Sequence, residues 1–229
     1  MRLPTAAVIA ARDEAATLAR TLDALGTITG LSRLIVADDG SQDATAEIAR
    51  SRGAEVLPAS TPGRSRGKGH ALRLGLVHAC KGAPAALLLA DADLGSSAAR
   101  LVVLLEALDE HHPVAVATFP PAATKGGFGL VKNLSRLAIL RRSGYSPLEP
   151  LSGQRALLPS TLDALPGIAP GFGVEVGMTL DLLSSGIKPL EIPLPLSHRP
   201  TGRGPRGFAH RARQGLDIAR ALRGARIPW

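Results

Sequence analysis

Aromatic side chains are scarce: one Trp, one Tyr and four Phe make up 3% of the 229 residues. Binding of single-stranded nucleic acid draws on aromatic stacking beside basic residues, and no recognition motif is present, so no nucleic-acid partner is expected. Cysteine occurs once, as Cys80, which excludes an intramolecular disulfide and a cysteine-based zinc site and leaves a buried helix thiol as the expected role. No apolar run approaches the roughly 20 residues that cross a bilayer. Charge returns at Arg12-Asp13-Glu14 after only a short apolar stretch, unlike a secretory signal, so a cytoplasmic protein is expected. Acidic residues are the minority, 19 against 27 basic ones. The imbalance is local, because Arg199–Trp229 contains eight Arg against Asp217 alone, nearly the whole formal charge of +8. Any attraction to phosphates or an anionic surface is therefore concentrated in the tail.

What the chain does have is 45% hydrophobic residues, enough for the core of one α/β domain. Strand-like runs at Ala6–Ala10, Leu34–Ala37, Glu55–Leu57, Ala85–Ala90, Val114–Phe119 and Leu190–Ile192 alternate with helical patterns. Leu18, Leu22 and Leu25 mark one helix face that Gly26 can end. Further helices are expected over Thr45–Arg52, from the basic loop to about Cys80, and over Ala98–Leu108 with Ser96 or Ser97 as its cap. Alternation at this spacing predicts a mostly parallel twisted sheet with right-handed crossovers and helices on both faces.

Polar clusters fall where the strands should end, the edge at which such sheets bind ligands. Leu87–Gly95 reads LLLADADLG and delivers Asp91 and Asp93 from a buried strand; two carboxylates so placed suit a hard cation that shares its coordination with substrate phosphates. Asp38-Asp39-Gly40-Ser41-Gln42-Asp43-Ala44-Thr45 follows the second strand. A turn and an N-cap account for Gly40, Ser41 and Asp43, but adjacent Asp38 and Asp39 repel unless something outside the turn uses them. Asp13 and Glu14 either cap the first helix or contact a ligand. Thr61–Gly69 (TPGRSRGKG) is a basic, glycine-rich loop before a helix, a setting that favours anions. It lacks the spacing of a P-loop.

With DDGSQDAT, GKG and DAD in this order and spacing, the first half resembles the family 2 nucleotide-sugar glycosyltransferases of GT-A fold. Their opening Pro-x-Tyr-Asn-Glu element corresponds to Ala10-Ala11-Arg12-Asp13-Glu14, where only the Glu is kept. In the second half, Pro150–Ala156 (PLSGQRA) and Gly171–Gly177 (GFGVEVG) resemble the acceptor-side segments of polyprenyl-phosphate hexosyltransferases and glucosyl-3-phosphoglycerate synthases. The resemblance implies a Rossmann-like GT-A domain over residues 1–203, with a donor half to about 120 and an acceptor half from 121, and a basic tail at 204–229.

It also implies transfer of a hexose from a nucleotide diphosphate sugar to a phosphorylated or lipid-linked acceptor, with Mg²⁺ or Mn²⁺. Donor contacts would come from Ala10, Ala11, Arg12, Glu14, Asp38, Asp39, Lys68, Asp91, Gly153 and Gln154. Asp91 and Asp93, with His198 as third ligand, would hold the cation. Asp93 and Glu175 would be the catalytic residues, with apolar neighbours raising the Glu175 pKa, and Arg199 and Arg203 would meet an acceptor phosphate. An inactive sugar-nucleotide-binding module and a nucleotidyltransferase are the alternatives. In the tail, Phe208, Ala212, Leu216, Ala219 and Leu222 share one helical face, which either docks on the domain or lies on an anionic membrane; docking is favoured because the face is thin and alanine-rich.

Overall fold

The computed structural model describes residues 4–119, 128–197 and 215–229. Seven strands form one sheet: β1 (Thr5–Ala11), β2 (Leu31–Asp38), β3 (Glu55–Pro58), β4 (Ala86–Asp91), β5 (Val114–Thr118), β6 (Arg155–Leu157) and β7 (Leu190–Pro193), in the order β3-β2-β1-β4-β6-β5-β7. The helices are α1 (Leu18–Gly26), α2 (Thr45–Ser51), α3 (Lys68–Cys80), α4 (Val102–Glu106), α5 (Phe128–Ser143), α6 (Val174–Ser184) and α7 (residues 215–222).

The strand interiors alternate between two cores. Ala7, Ile9, Leu88 and Ala90 pack against Leu18, Leu22, Leu25, Leu101 and Leu104 on one face. Ala6, Val8, Leu87 and Leu89 pack against Leu72, Leu76, Val174, Met178 and Leu182 on the other. Both faces of the sheet are thus covered, which is why its central strands read as unbroken apolar runs. Small residues set the spacing: a Cβ at Gly75 of α3 would lie 2.4 Å from Val8 Cγ1, so glycine there lets the helix lie close on β1.

Register places the polar clusters together. Ala10 of β1 pairs with Asp91 of β4, and Ala11 pairs with Asp38 of β2, all parallel. One strand departs from the expected direction. β6 runs antiparallel between β4 and β5, with Leu89 opposite Arg155. That reversal brings the residues just before β6, Gly153 and Gln154, to the edge where the parallel strands finish.

Two local expectations change, and a third position is defined. The segment after Asp93 is a 3₁₀ helix, Gly95–Leu101, leading into the short α4 rather than one α-helix, and Ser97 Oγ donates to the Leu94 carbonyl at 2.7 Å instead of capping. The helix after GFG begins at Val174, which puts Glu175 in its first turn, where an acid is favourable whatever else it does. In α7 the buried residues are Asp217, Ile218 and Ala221, while Leu216 is 61% exposed: the helix does dock, but on a face rotated from the expected one. Leu222 packs beside Ile218 as expected, Asp217 is buried because it has partners, and Phe208 and Ala212 lie outside the described residues.

Candidate active site

The DDGSQDAT cluster spends its side chains on neighbouring loops. Ser41 Oγ accepts from the Asp13 amide at 3.0 Å, Thr45 Oγ1 from the Glu14 amide at 2.8 Å and Asp43 Oδ2 from the Ala15 amide at 3.0 Å. The Asp13 carboxylate answers by accepting from the Gln42 amide at 2.8 Å. Asp13 itself has φ +54°, a left-handed conformation that Asp tolerates better than most residues. Because α1 starts only at Leu18, neither acid lies in its first turn; the loop 12–15 is a braced arch. Burial opposes the Asp43 charge, but hydrogen bonds from Thr45 and the Ala15 amide outweigh it and hold the carboxyl below its usual range.

The adjacent acids are separated by their partners. Asp38 Oδ1 accepts from the Ser41 amide at 3.1 Å and from the Ser41 hydroxyl. Asp39, 4% exposed, accepts from the Arg66 amide at 2.8 Å and the Gly67 amide at 2.9 Å, and from the Ser65 hydroxyl. Asp39 therefore anchors the basic loop. Beside that loop opens a cleft of about 580 Å³ lined by Pro58, Ala59, Ser60, Thr61, Arg64 and Arg66, among others. Arg12 stands at 3.6 Å from the Asp13 carboxylate, with its side chain 39% exposed.

The second cluster is assembled from four separate elements. Lys68 Nζ, at the start of α3, lies 2.6 Å from Asp91 Oδ1 and 2.8 Å from Glu175 Oε1. Gln154 Nε2 donates to Asp91 Oδ2 at 2.7 Å. A helix N-terminus disfavours a cation, and burial alone would lower the lysine pKa; the two carboxylates win and raise it above its ordinary value. Gly153 lets the pair sit close: a Cβ there would lie 2.8 Å from Lys68 Nζ and 2.9 Å from Asp91 Oδ1, so a side chain at 153 would push the two charged tips aside. Glu175 is only 5% exposed, yet its surroundings are not the apolar ones expected, since an ammonium faces it.

Arg155, 2% exposed, supports this cluster from behind. Its Nε donates to the Ser152 carbonyl and its Nη2 to the Glu175 carbonyl, both at 3.0 Å, while Nη1 has no hydrogen-bond partner among the described residues. Burial pushes its pKa down to about 10, against the pull of Glu175, Glu191 and Tyr145. No role was assigned to Arg155 from the sequence. The available signal was its position inside PLSGQRA, because an arginine opening a buried strand needs several acceptors.

Of the expected metal ligands, Asp91 meets Lys68 and Gln154, Asp93 is half-buried two residues beyond, and His198 lies outside the described residues, as do Arg199 and Arg203. Among the described residues, no group of three His, Cys, Asp or Glu could hold a metal ion. Oxygen donors from Asp91 and Asp93 still suit Mg²⁺ or Mn²⁺, which keep waters and share phosphate oxygens rather than demanding an all-protein cage.

The profile of glycosyl transferase family 2 matches residues 6–169, from β1 through β6 and on to the loop before α6. The chain belongs to that family. The whole fold is also similar to glucosyl-3-phosphoglycerate synthase from Mycobacterium tuberculosis. The form with phosphoglyceric acid is 26% identical with a TM-score of 0.79, over 97% of this chain and 79% of that one. The complex with Mn²⁺, UDP-glucose and phosphoglyceric acid has 26% identity and a TM-score of 0.77 over the same shares. The complex with Mg²⁺ and UDP has 26% identity and a TM-score of 0.78, again over 97% and 79%. No curated protein sequence matches the chain. The family match ends before Glu175, so it covers the braced loops, Lys68, Asp91 and Gln154 but not Glu175. No described helix is long and apolar enough to cross a membrane.

Proposed function

We propose that this family 2 glycosyltransferase moves a hexosyl group from a nucleoside diphosphate sugar to a phosphorylated acceptor, using Mg²⁺ or Mn²⁺. The observation that carries the reading is the convergence of Lys68, Asp91, Gln154 and Glu175 at the sheet edge where the braced loops also end. The similar synthase binds UDP-glucose, a divalent cation and phosphoglyceric acid together, which makes UDP-glucose the first donor to try and a three-carbon phosphate acid the first acceptor.

In this reading the arginine-lined cleft beside loop 61–66 receives the nucleoside, with Arg12 over the base and Glu14, Ala10 and Ala11 at its floor. Asp39 keeps the basic loop in place. Lys68 supplies positive charge toward the diphosphate, and Gln154 and Asp91 receive sugar hydroxyls. Asp91 and Asp93, with His198, would hold the cation, which would supply positive charge against the departing diphosphate. Glu175 and Arg155 fix the direction of Lys68. Arg199 and Arg203 meet the acceptor phosphate.

The test is transfer from UDP-glucose to phosphoglyceric acid and related phosphorylated acids, with GDP- and dTDP-sugars as competitors and with EDTA. Transfer that needs Mn²⁺ or Mg²⁺ and is lost in Asp93→Ala supports the reading. Tight donor binding with no product under any acceptor would favour a binding module instead.

A further inference from the structure

Lys68 and Glu175 stand at the N-termini of two helices, α3 and α6, and the C-terminal segment 215–229 is tied to both. Arg73 of α3 donates to the Pro228 carbonyl. Arg226 forks onto Asp181 of α6 at 2.6 and 2.7 Å, and the pair is largely buried, with side chains 10% and 14% exposed. Between the helices, Ile227 pairs with Ile168 in an antiparallel bridge, and Trp229 Nε1 donates to the Leu165 carbonyl at 2.7 Å. Asp217 accepts from the Phe172 amide at 3.2 Å.

The loop 167–173 is pressed between the segment and α3 with no room for side chains at its glycines. A Cβ at Gly171 would lie 2.0 Å from Asp217 Oδ2, and one at Gly69, next to Lys68, would lie 2.1 Å from the Ala169 carbonyl oxygen. Gly171 also has φ +55°, so both space and backbone demand glycine there. Contacts this close transmit displacement rather than absorb it, because packed interiors yield little.

We infer that the segment 215–229 is a strap that holds the starts of α3 and α6 in register, making Arg226 and Asp217 positioning residues for the Lys68–Glu175 pair. The inference rests on the proposed transferase reading only for its kinetic readout. Its structural content is that releasing the strap moves elements whose polar groups meet across the site, some distance from the strap's own contacts. A displacement near 1 Å at a reacting site costs up to about a hundredfold in rate.

Two measurements test it on the full-length protein. Hydrogen exchange followed by mass spectrometry compares the wild type with Arg226→Ala and with Trp229→Phe, which keeps the ring but loses the bond to Leu165. The expected result is faster exchange in peptides covering 66–71 and 167–176 in at least one folded variant; faster exchange confined to 215–229 overturns the inference. This readout needs no substrate, so it stands even if no nucleotide sugar is turned over. Kinetics per folded molecule should show kcat lowered about tenfold or more in Arg226→Ala with the donor KM within about twofold, partial recovery in Arg226→Lys, and a smaller effect of Arg226→Ala in a Glu175→Gln background. Full multiplication of the two effects, or a kcat unchanged per folded molecule, would show that the strap supports the fold alone.

Discussion

The braced loops of the first half and the Lys68 cluster, which joins residues of both halves, use the same kinds of side chain to opposite ends. In the loops, Ser41, Asp43, Thr45, Asp38 and Asp39 each accept hydrogen bonds from backbone amides of nearby turns, so these side chains fix the shape of the loops. In the cluster, one ammonium is shared by two carboxylates brought from β4 and α6, so charge is concentrated at a half-buried point of the sheet edge. A carboxylate in a family motif can therefore brace a loop, while Glu175, beyond the matched stretch, pairs with the Lys68 ammonium.

The sharpest way to break that contrast is to remove a residue from each side and compare kcat with stability. Asp93→Ala should lower turnover roughly a thousandfold, the loss of several kcal/mol of charge stabilisation at about 1.4 kcal/mol per factor of ten, with a melting temperature close to wild type. Gly153→Ala comes next: its methyl group must displace the Lys68 ammonium or the Asp91 carboxylate, so turnover should fall about tenfold to a hundredfold. The lysine tip can move, so the melting temperature should change little. Steady-state kinetics paired with calorimetry checks both.

On the braced side the order reverses. Asp39→Asn puts an amide donor among the amides of Arg66 and Gly67 and should raise the donor KM more than it lowers kcat, with about 1–3 kcal/mol of stability lost in urea titration. Thr45→Val strips the acceptor from the Glu14 amide and should cost about 1 kcal/mol, read as a modest fall in melting temperature. If Thr45→Val instead abolished turnover at full stability, the division between scaffold and chemistry would fail.

The smallest effect is expected far from the site. Glu55, held by a two-pronged bond to Arg33 and by His78, has its pKa lowered from 4.5 to about 2, chiefly by the Arg33 hydrogen bond. Since the folded value lies below the unfolded one, the contribution is present above pH 4.5 and is lost as pH falls toward 2. Acid unfolding of Glu55→Gln should lack that portion while its activity at neutral pH stays unchanged. The pair is partly solvated, so the effect is modest.

The parts of this molecule that could be read from its sequence are those with short-range causes. Apolar runs and glycine stops located β1, β2, α1 and α3, and the alternation of strand and helix implied a sheet covered on both faces. The acids at the strand ends were visible for the same reason. What sequence could not carry was partnership across distance. Nothing near Glu175 announces Lys68, 107 positions earlier in the chain, and the reversed direction of β6 depends on where its neighbours lie. Tail periodicity misled because Leu216 looked like a core residue and Asp217 did not, whereas the Phe172 amide and Arg220 give Asp217 its buried place.

The most direct test is the thermal stability of the wild type and of Asp93→Ala against UDP-glucose with Mn²⁺ or with EDTA. A ligand at about 100 times its dissociation constant adds close to 3 kcal/mol, a shift of several degrees in a chain of this size. Stabilisation of the wild type by UDP-glucose or another nucleotide sugar only when metal is present, and its loss in Asp93→Ala, is the result expected of a metal-dependent donor site at the end of β4. Equal stabilisation with EDTA, or in the mutant, would contradict it.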